Sequence, residues 1–138
     1  AVFYLSRESI RVMRENKIQG SIVQIASNSA LRGRKAHVAY ATTKGAVVQM
    51  TKCMALDCAA DGIRVNAVCP GATDTSMPMS KHTTQITRAQ LIENCKRDIP
   101  LQRMAEPSEI AQSVLFISSG DAAYITGTTL SVDGGTSS

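Results

Sequence analysis

The chain of 138 residues is long enough for one domain with a modest hydrophobic core. Its composition, 43% apolar and 19% charged, is ordinary for a globular protein, and no apolar run is long enough to predict a membrane-spanning helix. The net charge of +4 is spread along the chain, without the basic stripe and interleaved aromatics of a nucleic-acid surface. We therefore expect neither a nucleic-acid nor a membrane partner. The N-terminal residues lack a secretory signal pattern, which favours a cytoplasmic protein.

The cysteines form no pattern that predicts a metal site or a disulfide framework. No Cys-x-x-Cys pair is present, and no cysteine lies near a histidine pair at metal-binding spacing. The four residues are Cys53, Cys58, Cys69 and Cys95. We expect them to be small buried residues or bystanders in a reducing compartment, and we expect no metal.

Hydrophobic periodicity and turn signals divide the chain into alternating helices and strands. The predicted elements are helix 1–16, strand 21–26, helix 38–60, strand 63–68, helix 87–97, a helix beginning at Pro107, and strand 129–132. Gly62 is expected to close the second helix, and Pro107 suits the first position of the last one. This alternation predicts an α/β domain with parallel strands.

Two of the helices have a clear apolar stripe. In the first, apolar or small residues recur at three- and four-residue steps with charged residues between them, which is typical of an amphipathic helix. The residues expected to face inward are Val2, Leu5, Ser6, Ile10 and Met13 in this helix, and Ile110, Val114 and Ile117 in the helix that begins at Pro107.

A tyrosine and a lysine one helical turn apart are the first candidates for catalysis. Tyr40 and Lys44 are separated by four positions and share one helix face. An ammonium group near a phenol stabilises the phenolate and makes proton transfer near neutral pH accessible. Ser27, at the end of a predicted strand, can donate a hydrogen bond to a substrate oxygen. Taken alone, the Tyr/Lys pair is a weak signal, because such pairs occur by chance on many helices.

Five segments in order give this pair its context. They are Gly20–Ser27, Tyr40–Ala46, Ile63–Gly71, Tyr124–Gly127 and Val132–Gly135. Together they resemble the common subclass of the short-chain dehydrogenase/reductase family, and the match extends over essentially the whole chain. The resemblance implies a Rossmann-like, doubly wound parallel sheet, of which about three strands with flanking helices belong to this chain.

The resemblance assigns a role to each catalytic candidate. Ser27 would polarise the carbonyl or alcohol oxygen, and Tyr40 would act as the general acid and base. Lys44 would stabilise the Tyr40 phenolate and hold the hydroxyls of the nicotinamide ribose. Tyr40 and Lys44 are therefore also expected to contact the cofactor, which the resemblance identifies as NAD or NADP.

Further cofactor contacts are implied after the second long strand. Pro70, Gly71, Thr73 and Thr75 would lie against the nicotinamide and pyrophosphate. Thr73 replaces the Ile or Val that is usual in the family, but the backbone makes most of that contact. Outside the family context, Pro70-Gly71 is equally well explained as an ordinary turn.

The resemblance covers only the C-terminal half of the family's domain. The glycine-rich phosphate-binding turn and the residue that separates NAD from NADP have no counterpart here. We therefore expect residues 1–138 to be the C-terminal part of one NAD(P)-binding domain whose N-terminal half is missing, and to be inactive alone. The family also implies a homo-oligomer, a dimer or tetramer formed through the helices at 1–16 and 38–60.

The implied function is the NAD(P)-dependent interconversion of a secondary alcohol and a ketone by hydride transfer. Asp133, where 3-ketoacyl reductases of fatty-acid synthesis often carry Asn, slightly favours a sugar, polyol or other small alcohol as substrate. The 3-ketoacyl reductase remains an alternative. So does a non-catalytic relative that acts as a binding or scaffold protein, although such proteins usually lose one of Ser27, Tyr40 and Lys44.

Two loops flank the predicted site. Residues 72–98 occupy the place of the family's substrate loop, where Met77, Met79 and Ile86 form either an apolar lid or an incidental surface. A second loop carries three cations, Arg32, Arg34 and Lys35, which either attract an anionic substrate or are simply solvated.

Overall fold

The computed structural model describes residues 1–76 and 87–138. Its helices are α1 (Val2–Glu15), α2 (Val38–Cys58), α3 (Arg88–Asp98) and α4 (Pro107–Ser118), and its strands are β1 (Ser21–Ile25), β2 (Arg64–Pro70) and β3 (Thr129–Val132). Single 3₁₀ turns follow β1, α2 and α4, at Asn28–Ala30, Ala59–Asp61 and Gly120–Ala122. The predicted alternation of helices and strands is confirmed.

The described strands form one parallel sheet in the order β1-β2-β3. β2 was predicted to cover 63–68, but it runs from Arg64 to Pro70 because its pairing with β3 continues to the contact of Pro70 with Val132. Since β2 has a neighbour on each side, five of its seven residues are buried, as expected for a central strand of a parallel sheet. The α/β fold class predicted from the sequence is confirmed.

Helices cover both faces of this sheet. On one face α1 and α2 enclose a core that includes Ile10, Met54 and Val65. On the other face α4 packs Ile117 against Val68 of β2, with the partly buried Ile110 and Val114 beside them. Val65 and Val68 point to opposite sides because successive strand residues alternate between faces. The inward stripe predicted for α4 is confirmed.

The stripe predicted for α1 is only partly correct. Ser6 and Ile10 are buried, and Met13 packs against the core beside them. Val2 and Leu5 are 41% and 69% exposed, because no described element packs against the outer side of the first turns. The apolar character of α1 therefore extends beyond the core that this chain forms.

Helix ends agree closely with the sequence signals. After α2, one 3₁₀ turn leads to Gly62, whose φ of 69° lies in the left-handed region that favours glycine. Pro107 occupies the first turn of α4, and the preceding Glu106 caps this helix through a capping box with Glu109.

Buried polar residues hold the helices in place against the sheet. Gln24 of β1 donates to Ser6 of α1 and accepts from Thr51 of α2, at 3.1 and 2.9 Å. On the other face, the Arg64 guanidinium donates to four backbone carbonyls at the end of α4 and beyond it, those of Ile117, Ser118, Ser119 and Ile125. The bonds to Ile117, Ser118 and Ser119 satisfy carbonyls that a helix C-terminus leaves without partners.

Within the described ranges, none of the helices is both long enough and apolar enough to cross a membrane.

Candidate active site

The candidate residues converge at one edge of the sheet. Because the strands are parallel, their carboxyl ends lie together, and ligands of open α/β sheets bind outside these ends. Ser27 follows β1, Gly71 follows β2 and Asp133 follows β3. Residues that are distant in the sequence thus meet at one place.

A hydrogen bond of Lys44 brings α2 to this edge. The Lys44 ammonium donates to the backbone carbonyl of Ile25, the last residue of β1, at 2.9 Å. Tyr40 lies one turn earlier on the same face of α2 and is 37% exposed. Its ring contacts that of His37 edge to face, with the centroids 6.3 Å apart. The structure therefore places Lys44 beside the strand end that leads into Ser27, with Tyr40 above it.

Ser27 is buried, with 7% of its surface exposed, and it begins the 3₁₀ turn after β1. Its Oγ accepts a hydrogen bond from the backbone N–H of Ser29 at 3.1 Å. A hydroxyl group can accept and donate at the same time. Ser27 is thus held in position by the acceptor contact, and its proton can still be donated to another oxygen.

Cys69 lies at the centre of this edge and is fully buried. Burial raises the pKa of its thiol, hydrogen bonding from the Ser27 backbone and the positive charge of Lys44 lower it, and the charge of Asp133 raises it. The pKa of Cys69 is thus influenced by groups that follow β1 and β3 and by Lys44 of α2. As a buried thiol with a raised pKa it is a packing residue and not a nucleophile.

The Pro70-Gly71 segment makes a close backbone contact with the end of β3. The Gly71 N–H donates to the Val132 carbonyl at 3.0 Å. A Cβ atom at Gly71 would lie 2.7 Å from both Cα and Cβ of Asp133. Only glycine fits at this approach without displacing backbone.

The segment after Gly71 is held by backbone pairing. Thr73 forms an isolated parallel bridge with Ala105, and its hydroxyl donates to the Gly71 carbonyl at 3.3 Å. Asp74 donates its N–H to Ala105 and accepts a side-chain hydrogen bond from Arg88 of α3. Thr75 is exposed, two residues beyond the bridge. Thr73 is thus fixed beside the strand ends, and Thr75 lies on the outer side of the same segment.

Asp133, which the sequence linked only to the choice of substrate, also lies at this edge. The residue is 8% exposed, and one carboxylate oxygen accepts from the backbone N–H of Gly135 at 3.2 Å. Its other oxygen, Oδ2, is buried without a partner in the part of the chain that the structure describes. The sequence does contain a signal for this contact: an Asp that follows a strand and precedes two glycines. An Asp side chain commonly accepts a hydrogen bond from the backbone N–H two residues later.

The remaining candidates are distributed around this edge. The basic loop (residues 31–37) connects the 3₁₀ turn after Ser27 to α2, so its three cations lie close to Tyr40 along the chain. The proposed apolar lid residues Met77, Met79 and Ile86 lie outside the described residues. Within 1–76 and 87–138, no three His, Cys, Asp or Glu side chains come close enough together to hold a metal ion.

Comparison with known proteins identifies the family. A family model described as enoyl-(acyl carrier protein) reductase matches residues 1–137. The chain belongs to the short-chain dehydrogenase/reductase family. The assignment made from the five sequence segments is therefore confirmed.

Individual relatives of this short-chain dehydrogenase/reductase agree with the assignment. A 2,3-dihydro-2,3-dihydroxybenzoate dehydrogenase of Bacillus subtilis strain 168 is 43% identical, over 97% of this chain and 52% of its own length. A solved short chain dehydrogenase family protein of Francisella tularensis subsp. tularensis SCHU S4 is 34% identical, with a TM-score of 0.82 over 96% of this chain and 57% of its own.

A third relative was solved with a bound cofactor. This 3-ketoacyl-(acyl-carrier-protein) reductase of Brucella melitensis, in complex with NADH, is 32% identical, with a TM-score of 0.87 over 99% of this chain and 53% of its own. The chain thus spans about half the length of the relatives it matches.

Proposed function

We propose that the intact protein is an NAD(P)-dependent oxidoreductase that interconverts a secondary alcohol and a ketone. The bound nicotinamide would supply or accept the hydride. Tyr40 would exchange the proton with the substrate oxygen, and Ser27 would donate a hydrogen bond to the same oxygen and stabilise the charge that develops on it. A sugar, a polyol or another small alcohol is the proposed substrate.

The hydrogen bond between Lys44 and the Ile25 carbonyl is the observation that carries this proposal. It fixes an ammonium group at the strand end next to Ser27 and on the helix face that bears Tyr40. In general, an ammonium group beside a tyrosine favours the ionised form that a tyrosine acid/base catalyst requires. A lysine that merely covered the surface of α2 would not need to reach a main-chain carbonyl of β1.

The residues present fit a nicotinamide cofactor. The Lys44 ammonium has three donors, and its contact with Ile25 uses one of them, which leaves donors for ribose hydroxyls. Gly71 brings bare backbone to the strand ends, because a Cβ atom there would meet Asp133. Pro70, Gly71, Thr73 and Thr75 are the proposed contacts with the nicotinamide and the pyrophosphate. The NADH bound to the Brucella relative supports this choice of cofactor.

We further propose that residues 1–138 form the C-terminal part of a single nucleotide-binding domain. This part would contain the acid/base residues and the surface that supports the nicotinamide. The glycine-rich turn that binds the pyrophosphate at a helix N-terminus is proposed to come from other residues of the intact protein. The half-length coverage of the relatives supports this division.

The main alternative is reduction of 3-ketoacyl groups. The Brucella relative with that name matches as much of the chain as the others do, which keeps this alternative open. The intact protein would distinguish the two by its preference between a small polyol and a 3-ketoacyl thioester. A non-catalytic binding protein is less well supported, because Ser27, Tyr40 and Lys44 are all present.

Turnover of the intact protein tests the proposal. We expect the absorbance of reduced nicotinamide to change when the protein is mixed with NAD or NADP and a panel of secondary alcohols, and in reverse with the ketones. Isothermal calorimetry with each nucleotide provides an independent test of cofactor binding. A protein that binds neither nucleotide and turns over no member of the panel contradicts the proposed function.

We also propose that the intact protein self-associates through α1 and α2. The first turns of α1 expose Val2, Phe3, Tyr4 and Leu5, and α2 exposes 82% of Leu56. Such a concentration of exposed apolar residues on helices is typical of an interface. We expect light scattering to give at least a dimer, and Leu5→Glu with Leu56→Glu to dissociate it. Gln112→Glu, at an exposed polar position of α4, is the control and should leave the association unchanged. A monomeric wild-type protein contradicts this proposal.

A further inference from the structure

The cations of the basic loop are not neutralised by other charges of the described chain. Within the described ranges, ion pairs engage seven other basic residues: Arg7, Arg11, Arg14, Arg88, Lys96, Arg97 and Arg103. Arg32, Arg34 and Lys35 form no ion pair with any residue in 1–76 or 87–138 and are exposed. The sequence has no acidic residue between Glu15 and Asp57. Every charged residue in the segment that contains Ser27, Tyr40 and Lys44 is therefore basic.

The backbone of this loop is fixed next to Tyr40. The His37 N–H donates to the Arg34 carbonyl at 3.3 Å, and His37 Nδ1 lies 2.9 Å from the Lys35 carbonyl oxygen. The His37 ring in turn contacts the Tyr40 ring. Two of the three cations are thus bonded through their own carbonyls to the residue that packs on Tyr40.

The charge of Arg34 also acts on a residue of α3. Burial and the charge of Asp98 raise the pKa of the Cys95 thiol on α3, whereas the positive charge of Arg34 lowers it. The carboxylates on this side are already paired, Asp98 with Arg97 and Asp74 with Arg88. Arg34 has no ion-pair partner among the described residues, and its carbonyl is bonded to His37, which contacts Tyr40. Its charge therefore raises the local concentration of anions near the candidate site.

We propose that the substrate carries a carboxylate group and that the basic loop, with Arg34 as its main contact, recognises it. This inference rests on the proposed function, because it concerns the substrate of that same site. Arginine presents a planar fork of donors that matches a carboxylate in two parallel hydrogen bonds. Arg32 and Lys35, exposed in the same loop, would add to the attraction. The carboxylate in the name of the Bacillus relative's substrate is consistent with this class.

Matched acids and amides test the proposal on the intact protein. The panel consists of secondary hydroxy acids, including 3-hydroxybutyrate and 2,3-dihydro-2,3-dihydroxybenzoate, each compared with its own amide. We expect kcat/KM to be at least about tenfold higher for the best acid than for its amide, and to fall as ionic strength rises. Arg34→Gln should remove most of this preference through KM, with kcat and the amide reaction nearly unchanged. Lys52→Gln is the control and should change neither, because Lys52 is an exposed lysine of α2 that forms no ion pair with any described residue.

A binding experiment makes the outcome independent of turnover. We expect benzoate to bind the protein–nucleotide complex at least about tenfold more tightly than benzamide, and Arg34→Gln to abolish the difference. Equal or better use of the amides, or equal binding of benzoate and benzamide, overturns the carboxylate proposal while the oxidoreductase assignment stands. Benzoate binding that depends on Arg34, without turnover of any alcohol, supports the anion site and contradicts the proposed function.

Discussion

Replacement of Tyr40 by Phe in the intact protein is expected to lower kcat by about 10²- to 10⁴-fold, the usual contribution of a positioned acid/base group. Phe keeps the aromatic ring, and with it the edge-to-face contact with His37, and removes only the hydroxyl. KM for the nucleotide should change much less than kcat, because the ribose contacts proposed for Lys44 remain and only the hydroxyl contact proposed for Tyr40 is lost. Steady-state kinetics with the best secondary alcohol, together with calorimetric nucleotide binding, measure the two effects separately.

A second tyrosine provides the matched control for this experiment. Tyr124 is fully exposed and lies outside the site, so Tyr124→Phe makes the same chemical change without touching the strand ends. We expect it to leave kcat, KM and thermal unfolding unchanged. If Tyr40→Phe turns over substrate as fast as the wild type, Tyr40 is not the acid/base group and the assignment of the site is wrong.

The boundaries of most elements could be predicted from local sequence signals. Gly62 and Pro107 mark a helix end and a helix start because their backbone preferences act within one or two residues. The end of β2 was placed too early, since Pro70 and the turn after it suggest a break. The pairing of Pro70 with Val132 extends the strand, and this contact depends on β3, which lies far along the chain.

Contacts between distant segments explain the other differences. The exposure of Val2 and Leu5 depends on which elements pack against α1. The apolar periodicity of α1 predicts which residues share a face, but not whether another element covers that face. Tyr40, Lys44 and Ser27 could be chosen because their spacing and surrounding segments match a family. The bond from Lys44 to Ile25 shows how they meet, and the burial of Asp133 beside Gly71 came only from the folded chain.

Gly71→Ala is expected to damage both stability and cofactor binding. The added methyl group would lie 2.7 Å from Cα and Cβ of Asp133, and these atoms belong to a buried residue that cannot rotate away. Overpacking of this kind costs about 1–3 kcal/mol in the free energy of unfolding. Relief of the contact requires the ends of β2 and β3 to separate, which would stretch the 3.0 Å hydrogen bond from Gly71 to Val132.

The same displacement would move the surface proposed to support the nicotinamide. A shift of about 1 Å between reacting groups can cost on the order of 10²-fold, so we expect a loss of that size in kcat/KM with a raised KM for the nucleotide. Urea unfolding and steady-state kinetics check the two parts. Gly120→Ala is the control, because a Cβ atom there meets nothing within 4 Å, and it should stay within about 0.5 kcal/mol of the wild type. If Gly71→Ala is as stable and active as Gly120→Ala, the strand ends tolerate a side chain at Gly71, and the close contact with Asp133 constrains neither the fold nor the cofactor.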